Sequence, residues 1–455
     1  LTSVRIEGVP HVRQRPDFCG EACVEMALRK LGQRLTQNDV FAATGLSPTL
    51  GRGAVTRELL RGLRRLGFAP GRAWYWISAR RPRRGLGRQF AALHRDLQAG
   101  VPSVVCTRFD EQPRTTEHFR LVIGYDARTD EVIYHDPALD RGASLRMKRD
   151  RLYRLWPLKY KKKRWLVIRM PLRQKSAGVI RAPSRLPGRF SRADFSQHVR
   201  KLRPRLKKLG GSFTIVVQPP FVVVGDEPPA TVRRRAAGTV KWAVDLLKRD
   251  YFRADPLHIL DIYLFKDRSS YTRNTVRLFG SRPGTPYGFY SSDGKALVMN
   301  ISTGGGTLVH EIVHPFMEAN FPDCPPWFNE GLGSLYEQSA RRGGKIWGLT
   351  NWRLPGLQKA IRADVVPSFA RLMSRTSFQF YQRDPGTNYS QSRYLLYYLQ
   401  STGKLRAYYR RFLRDHRRDP TGLQSLKAVL GVSDLDAFKR RWEAWVLALR
   451  YPPSS

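Results

Sequence analysis

The residues most able to do chemistry are His310, Glu311 and His314, in the run Thr307-Leu308-Val309-His310-Glu311-Ile312-Val313-His314. The apolar residues around them predict a helix. On a helix the two histidines stand one turn apart and project from one face. Two neutral imidazoles at that spacing can chelate one zinc ion. Glu311, next to the first ligand, can reach a water at the ion and act as general base. A third ligand is needed. Glu318 is the nearest carboxylate, but it lies two turns beyond His310, about 12 Å along the axis, too far to share the ion. A second helix is the better source. Pro325-Pro326-Trp327-Phe328-Asn329-Glu330-Gly331-Leu332 opens one, with proline in its first turn. Glu330 comes sixteen residues after His314, enough for a turn and an antiparallel return.

A second constellation lies near the start. Gln14-Arg15-Pro16-Asp17-Phe18-Cys19-Gly20-Glu21-Ala22 precedes an apolar-periodic helix. Cys19 at that N-terminus would meet free N–H groups and the positive end of the dipole, which favour thiolate. Gln14 could donate its amide to an oxyanion. Downstream, His118 opens a strand that runs to Gly124-Tyr125-Asp126, and the return strand ends in Tyr134-His135-Asp136-Pro137. A hairpin through 126–131 brings His118 and Asp136 to one end. Cys19, His118 and Asp136 then make nucleophile, base and orienting carboxylate. His135 competes for the role of base, but strand alternation points it away.

Both sets of words resemble known families. HExxH followed by Trp-Phe-Asn-Glu-Gly resembles the gluzincin metallopeptidases of the peptidase-MA-like branch, over roughly residues 211–400. The resemblance implies a zincin-like fold, a Zn2+ cofactor held by His310, His314 and Glu330, and a peptide or protein substrate. It also implies a tyrosine that donates to the transition state, with Tyr389 and Tyr394 as candidates. Some gluzincins carry an acidic residue one turn after the ligand glutamate to hold the first histidine; here that position is Ser334. Residues 9–140 resemble papain-like peptidases of the bacteriocin-processing, double-glycine type: Gln before Cys-Gly, His leading to Gly-Tyr, then Asp-Pro. That resemblance assigns Gln14, Cys19, His118 and Asp136 to the four roles. Glu21 stands where such relatives commonly have proline. The same fold also includes inactive binding modules and transferases.

The elements that must position these groups read as an α+β protein in two modules. Residues 1–170 form the first, with helices near 19–31, 37–44, 53–66 and 88–99, then strands at 103–107, 118–125 and 132–134. Residues 171–210 read as a basic Pro/Ser-rich linker containing a short helix near 192–206. Residues 211–455 form the second, with strands at 213–217, 221–224 and 259–265, a helix at 229–250, and a hairpin pairing 287–290 with 296–299. The metal helix and a mostly helical C-terminal part follow. No internal repeat is visible.

Composition adds a charge argument. The 455 residues carry 81 Lys plus Arg against 37 Asp plus Glu, a net of +44. Such a balance favours anionic partners, an anionic envelope or other polyanion surface. The basic residues are spread along the chain, no nucleic-acid-reading motif accompanies them, and no apolar run is long enough to span a membrane. An envelope- or polyanion-binding protein with degenerate peptidase sites is therefore the competing reading. Four cysteines are too few for a disulfide scaffold. Cys23 reads as buried, and Cys106 and Cys324 as structural. The sequence opens on Leu1 without an h-region, and we expect an exported protein.

Overall fold

The computed structural model describes residues 1–175, 186 and 188–451. The chain forms two compact units, Leu1–Pro204 and Arg205–Ser455.

The first unit is built on an antiparallel sheet. Its strands are β1 (Val4–Arg5), β2 (Trp74–Ser78), β3 (Ser103–Arg108), β4 (Glu117–Asp126), β5 (Glu131–His135), β6 (Leu145–Lys148) and β7 (Arg164–Pro171). They run in the order β2-β7-β3-β4-β5-β6, with β1 paired to β4. Strands β3 and β4 are buried almost throughout, because helices cover both faces of the sheet. On one face α1 (Cys19–Lys30), α2 (Gln37–Thr44) and α3 (Thr56–Arg65) share a core with Val104, Leu121 and Ile168. On the other, α4 (Pro82–Gln98) packs Leu86, Phe90 and Leu93 against Val105, Val122 and Val167. A short helix, α5 (Arg149–Leu155), precedes β7.

The helices near 37–44 and 53–66 fall where their periodicity puts them. Helix α4 starts six residues before the expected 88, because Pro82 takes its first turn. The basic run around it is therefore the start of a helix. The strands β1, β2, β6 and β7 went unread. Of the expected linker, residues 176–185 and 187 lie outside the described residues. Helix α6 (Arg192–Leu209) follows, and its Ala193, Phe195 and Val199 are fully buried within the first unit.

The second unit has a mixed sheet of five strands in the order β11-β12-β10-β9-β8. These are β8 (Thr214–Gln218), β9 (Phe221–Gly225), β10 (Leu260–Phe265), β11 (Gly288–Ser291) and β12 (Ala296–Asn300). Strand β10 is parallel to both β9 and β12, and all three are wholly buried under helices. The two edge strands, β11 and β8, each pair antiparallel with their neighbour. The helical run 229–250 consists of α7 (Pro229–Arg235), a π-helical segment and α8 (Trp242–Asp250). α9 (Arg268–Phe279) follows β10. α10 (Gly306–Asn320) and α11 (Pro326–Tyr336) come next, then a β13–β14 hairpin (Ser339–Arg342, Lys345–Gly348). The remainder is helical: α12 (Leu354–Arg362), α13 (Phe369–Met373), α14 (Ser377–Gln382), α15 (Pro385–Ser401), α16 (Leu405–Asp415), α17 (Leu423–Leu430) and α18 (Leu435–Ala448). Among the described residues no helix is long and apolar enough to cross a membrane.

Candidate functional site

In the second unit, α10 carries His310, Glu311 and His314, and α11 carries Glu330. Leu308, Val309, Ile312 and Val313 bury the back of α10 in the core, which turns the histidine face outward. Two glycines let the helices approach. A Cβ at Gly333 would stand 3.0 Å from the His310 ring, and one at Gly306 would stand 2.1 Å from the Glu337 carbonyl oxygen. Arg393 on α15, fully buried, donates to the carbonyls of Ser334 and Leu335 at the end of α11. It satisfies acceptors that a helix C-terminus leaves open, and so anchors the helix that bears Glu330.

The structure brings His310, His314 and Glu330 together: one ligand atom from each lies within 4.8 Å of the others. Glu330 Oε2 is 3.1 Å from His310 Nε2 and 3.9 Å from His314 Nε2. The far nitrogens are also held. His310 Nδ1 donates to Glu337 Oε1 at 3.1 Å, and His314 Nδ1 to Asn329 Oδ1 at 3.0 Å. With Nδ1 held in this way, both Nε2 atoms are aimed at the shared point and are the ones that would face a metal. Glu337 is fixed in turn by Arg353, whose Nε and Nη2 reach its two oxygens at 2.9 and 2.7 Å. Tyr381 donates to Glu330 Oε1 at 2.7 Å. Glu311 lies 3.8 Å from His314 Nε2.

Burial opposes charge on Glu330 and on His310, yet their mutual pairing wins, and Glu330 is held far below the usual carboxylate range. Burial raises Glu311. The trio sits in a cleft of about 1190 Å³, lined also by Tyr287, Tyr290, Trp352, Tyr381 and Tyr389. The Tyr389 ring stands 6.5 Å from that of His310. Tyr394, the other tyrosine candidate, is fully buried and bonds Asn351 instead, because it faces the helical core. Cys324 lines the cleft as well.

Glu337, Asn329, Arg353 and Tyr381 were not read from the sequence. Glu337 had a faint signal: it follows Glu330 by seven residues, two helical turns, and so shares its face. It does the work looked for at Ser334, whose buried hydroxyl has no hydrogen-bond partner among the described residues.

In the first unit, the β4–β5 hairpin sets His118 Nε2 2.7 Å from Asp136 Oδ1. Both side chains are buried. Burial alone would raise Asp136, but the His118 hydrogen bond and the charges of His118 and Arg120 bring it down to about 2. Arg120, unread in the sequence, donates from Nε to Asp136 Oδ2 at 2.9 Å and ties the group to the carbonyls of Arg108 and Phe109. Gln14 is drawn to the same end by its backbone N–H, which donates to Pro137 O at 2.9 Å. Its side-chain oxygen is buried and has no hydrogen-bond partner among the described residues. His135 is engaged elsewhere, with Val9 O and the Ser144 N–H.

Cys19 is the first residue of α1, and the Phe119 amide beside His118 lies against its thiol. The thiolate-favouring setting expected there is outweighed. Burial pushes the thiol up to about 11, and Glu21 adds to this. Glu21 is itself fully buried, accepts the Ala54 N–H at 2.7 Å, and is raised to about 8 by burial. The helix terminus loses to desolvation here.

Residues 6–168 match the model of the Peptidase_C39 like family. The match covers the sheet and helices that carry Gln14, Cys19, His118 and Asp136. No curated protein matches the chain. Among solved structures, the chain is similar to the peptidase domain of Streptococcus ComA, a bi-functional ABC transporter involved in a quorum sensing pathway. The identity is 14%, the TM-score 0.24, and the alignment covers 36% of this chain and 99% of that one. At that TM-score the likeness carries no structural argument.

Proposed function

We propose that the second unit is a zincin-like, gluzincin-type zinc peptidase. One observation carries the reading: the convergence of two imidazole Nε2 atoms and one carboxylate within 4.8 Å, each histidine anchored through its other nitrogen. The donor set fits zinc, which takes nitrogen and carboxylate ligands and keeps one position open in catalytic sites. His310, His314 and Glu330 would hold the ion. Bound there, zinc supplies Lewis-acid polarisation of a carbonyl and of a water. The protein's part is then plain. Glu311 takes the water proton on its carboxylate and delivers it to the leaving amine. Tyr389, on the cleft wall, donates to the carbonyl oxygen as charge develops there. Tyr381 is occupied in orienting Glu330.

The first unit is a papain-like cysteine peptidase in this proposal. The match to a peptidase-type family over residues 6–168 and the His118–Asp136 pair support it. His118 would take the Cys19 proton, Asp136 would orient its ring, and Gln14 would donate to the oxyanion. The half-buried thiol, pushed up to about 11, favours a second reading for this unit alone, a peptide-binding module without turnover. Both sites act on peptides in the first reading, so their inhibition separates them. A zinc chelator is expected to abolish one peptidase activity and iodoacetamide, reacting first at Cys19, the other. Peptide hydrolysis indifferent to the chelator would remove the zinc site from the account. Alkylation that spares Cys19 would favour the binding module.

Glu337→Gln is expected to weaken zinc binding about 10–100-fold, because the His310 ring loses its anionic anchor. Competition with a chelating dye measures this, and an unchanged affinity would show that Glu337 has no such role.

A further inference from the structure

We infer that Glu318 makes the cleft of the second unit select peptides bearing a lysine or arginine. The inference rests on the zinc-peptidase reading above and names its substrate class. Glu311, Glu318, Glu330 and Glu337 line the cleft, and among the described residues Arg353 is the one lysine or arginine there. This is the reverse of a chain whose basic residues outnumber its acidic ones by more than two to one, 81 against 37. Three of the four carboxylates are committed. Glu330 belongs to the ligand trio, Glu337 is closed by Arg353 and His310, and Glu311 stands beside the ligands.

Glu318 is left over. It is exposed and lines the cleft, and among the described residues the one hydrogen bond to its side chain comes from the Tyr290 hydroxyl, at 2.8 Å. Among the described residues no lysine or arginine pairs with it. It also sits in the last turn of α10, where the helix dipole disfavours negative charge. Local stability does not account for a carboxylate there; a cation in the cleft does. Glu318 lies one turn past His314, about 6 Å of helix rise. A lysine or arginine side chain close to the bond being cut would span that distance. Tyr290, on edge strand β11, fixes the carboxylate and lends an aromatic wall to the alkyl stem. The net positive charge of the molecule does not cancel the effect, because salt screens exposed charges beyond about 8 Å at physiological ionic strength.

The test uses binding, so turnover is not needed. Full-length Glu311→Gln protein, alkylated at Cys19 to silence the first unit, is given added zinc and titrated with dye-labelled alanine heptapeptides carrying one Lys, Gln or Glu at successive positions, read by fluorescence anisotropy. At one position Lys is expected to bind about fivefold more tightly than Gln, with Glu weakest. Adding Glu318→Lys is expected to invert that order, and Glu318→Gln to flatten it. The comparison between variants removes the contribution of the overall charge. Binding with no charge order, or an order unchanged in Glu318→Lys, overturns this inference alone. No binding of any peptide overturns it together with the peptidase reading.

Discussion

Glu311→Gln is expected to retain zinc and to lose peptide hydrolysis at the second unit by about 10²–10⁴-fold, the usual contribution of a positioned general base. The size of the effect follows from the site. Glu311 is not one of the converging ligands, so its removal leaves His310, His314 and Glu330 and their anchors Glu337 and Asn329 in place. The substituted amide keeps the shape of the side chain but cannot take a proton. Burial raises the native carboxyl, which in the proposed mechanism accepts the proton and releases it again. Zinc content by mass spectrometry and peptide cleavage measured on the same preparation check both halves. Full activity in the variant would remove Glu311 from its role. Loss of zinc along with activity would mean that the substitution damages the ligands instead.

The second large effect belongs to the first unit. Asp136→Asn, studied with Glu311→Gln in place to silence the other site, is expected to lower hydrolysis at the Cys19 site by roughly 10³–10⁴-fold. Asp136 fixes the His118 ring through Nε2; an amide can present its NH₂ there and favour the wrong tautomer. The substitution also strands Arg120, a buried guanidinium whose Nε partner is Asp136 Oδ2. Breaking a buried pair of this kind costs about 3 kcal/mol, a fall of about 6–12 °C in the melting of a unit this size. Calorimetry and single-turnover cleavage read the two effects separately. Asp136→Asn protein that melts and reacts like its parent would make the His118–Asp136 contact incidental.

How much of this was legible in the sequence depends on the distance over which residues act. Spacing along one helix is visible, so His310, Glu311 and His314 could be placed on one face before any fold was known. Glu330 required only a second helix, and Pro326 marked where it starts. The hairpin that joins His118 to Asp136 was readable because its two strands are adjacent in sequence. Arg353 and Tyr381 were not readable, and Glu337 only faintly, through its spacing from Glu330. Glu337 meets His310 across two helices, Arg353 reaches Glu337 from a later loop, and Tyr381 comes to Glu330 from a helix beyond the β13–β14 hairpin. Periodicity carries no information on contacts of that kind. Cys19 shows the other limit. Its place at a helix N-terminus was legible, but its burial, which outweighs the terminus, depends on packing against the Phe119 strand. The same holds at α4, where a proline inside a basic run opens a helix whose apolar face lies further along.

The most direct test of the central claim is metal content. Purified full-length protein, reconstituted with zinc and freed of excess, is expected to carry about one zinc per chain, and His310→Ala is expected to carry none. A folded wild-type chain that takes up no zinc, or a His310→Ala variant that holds as much as its parent, would contradict the account.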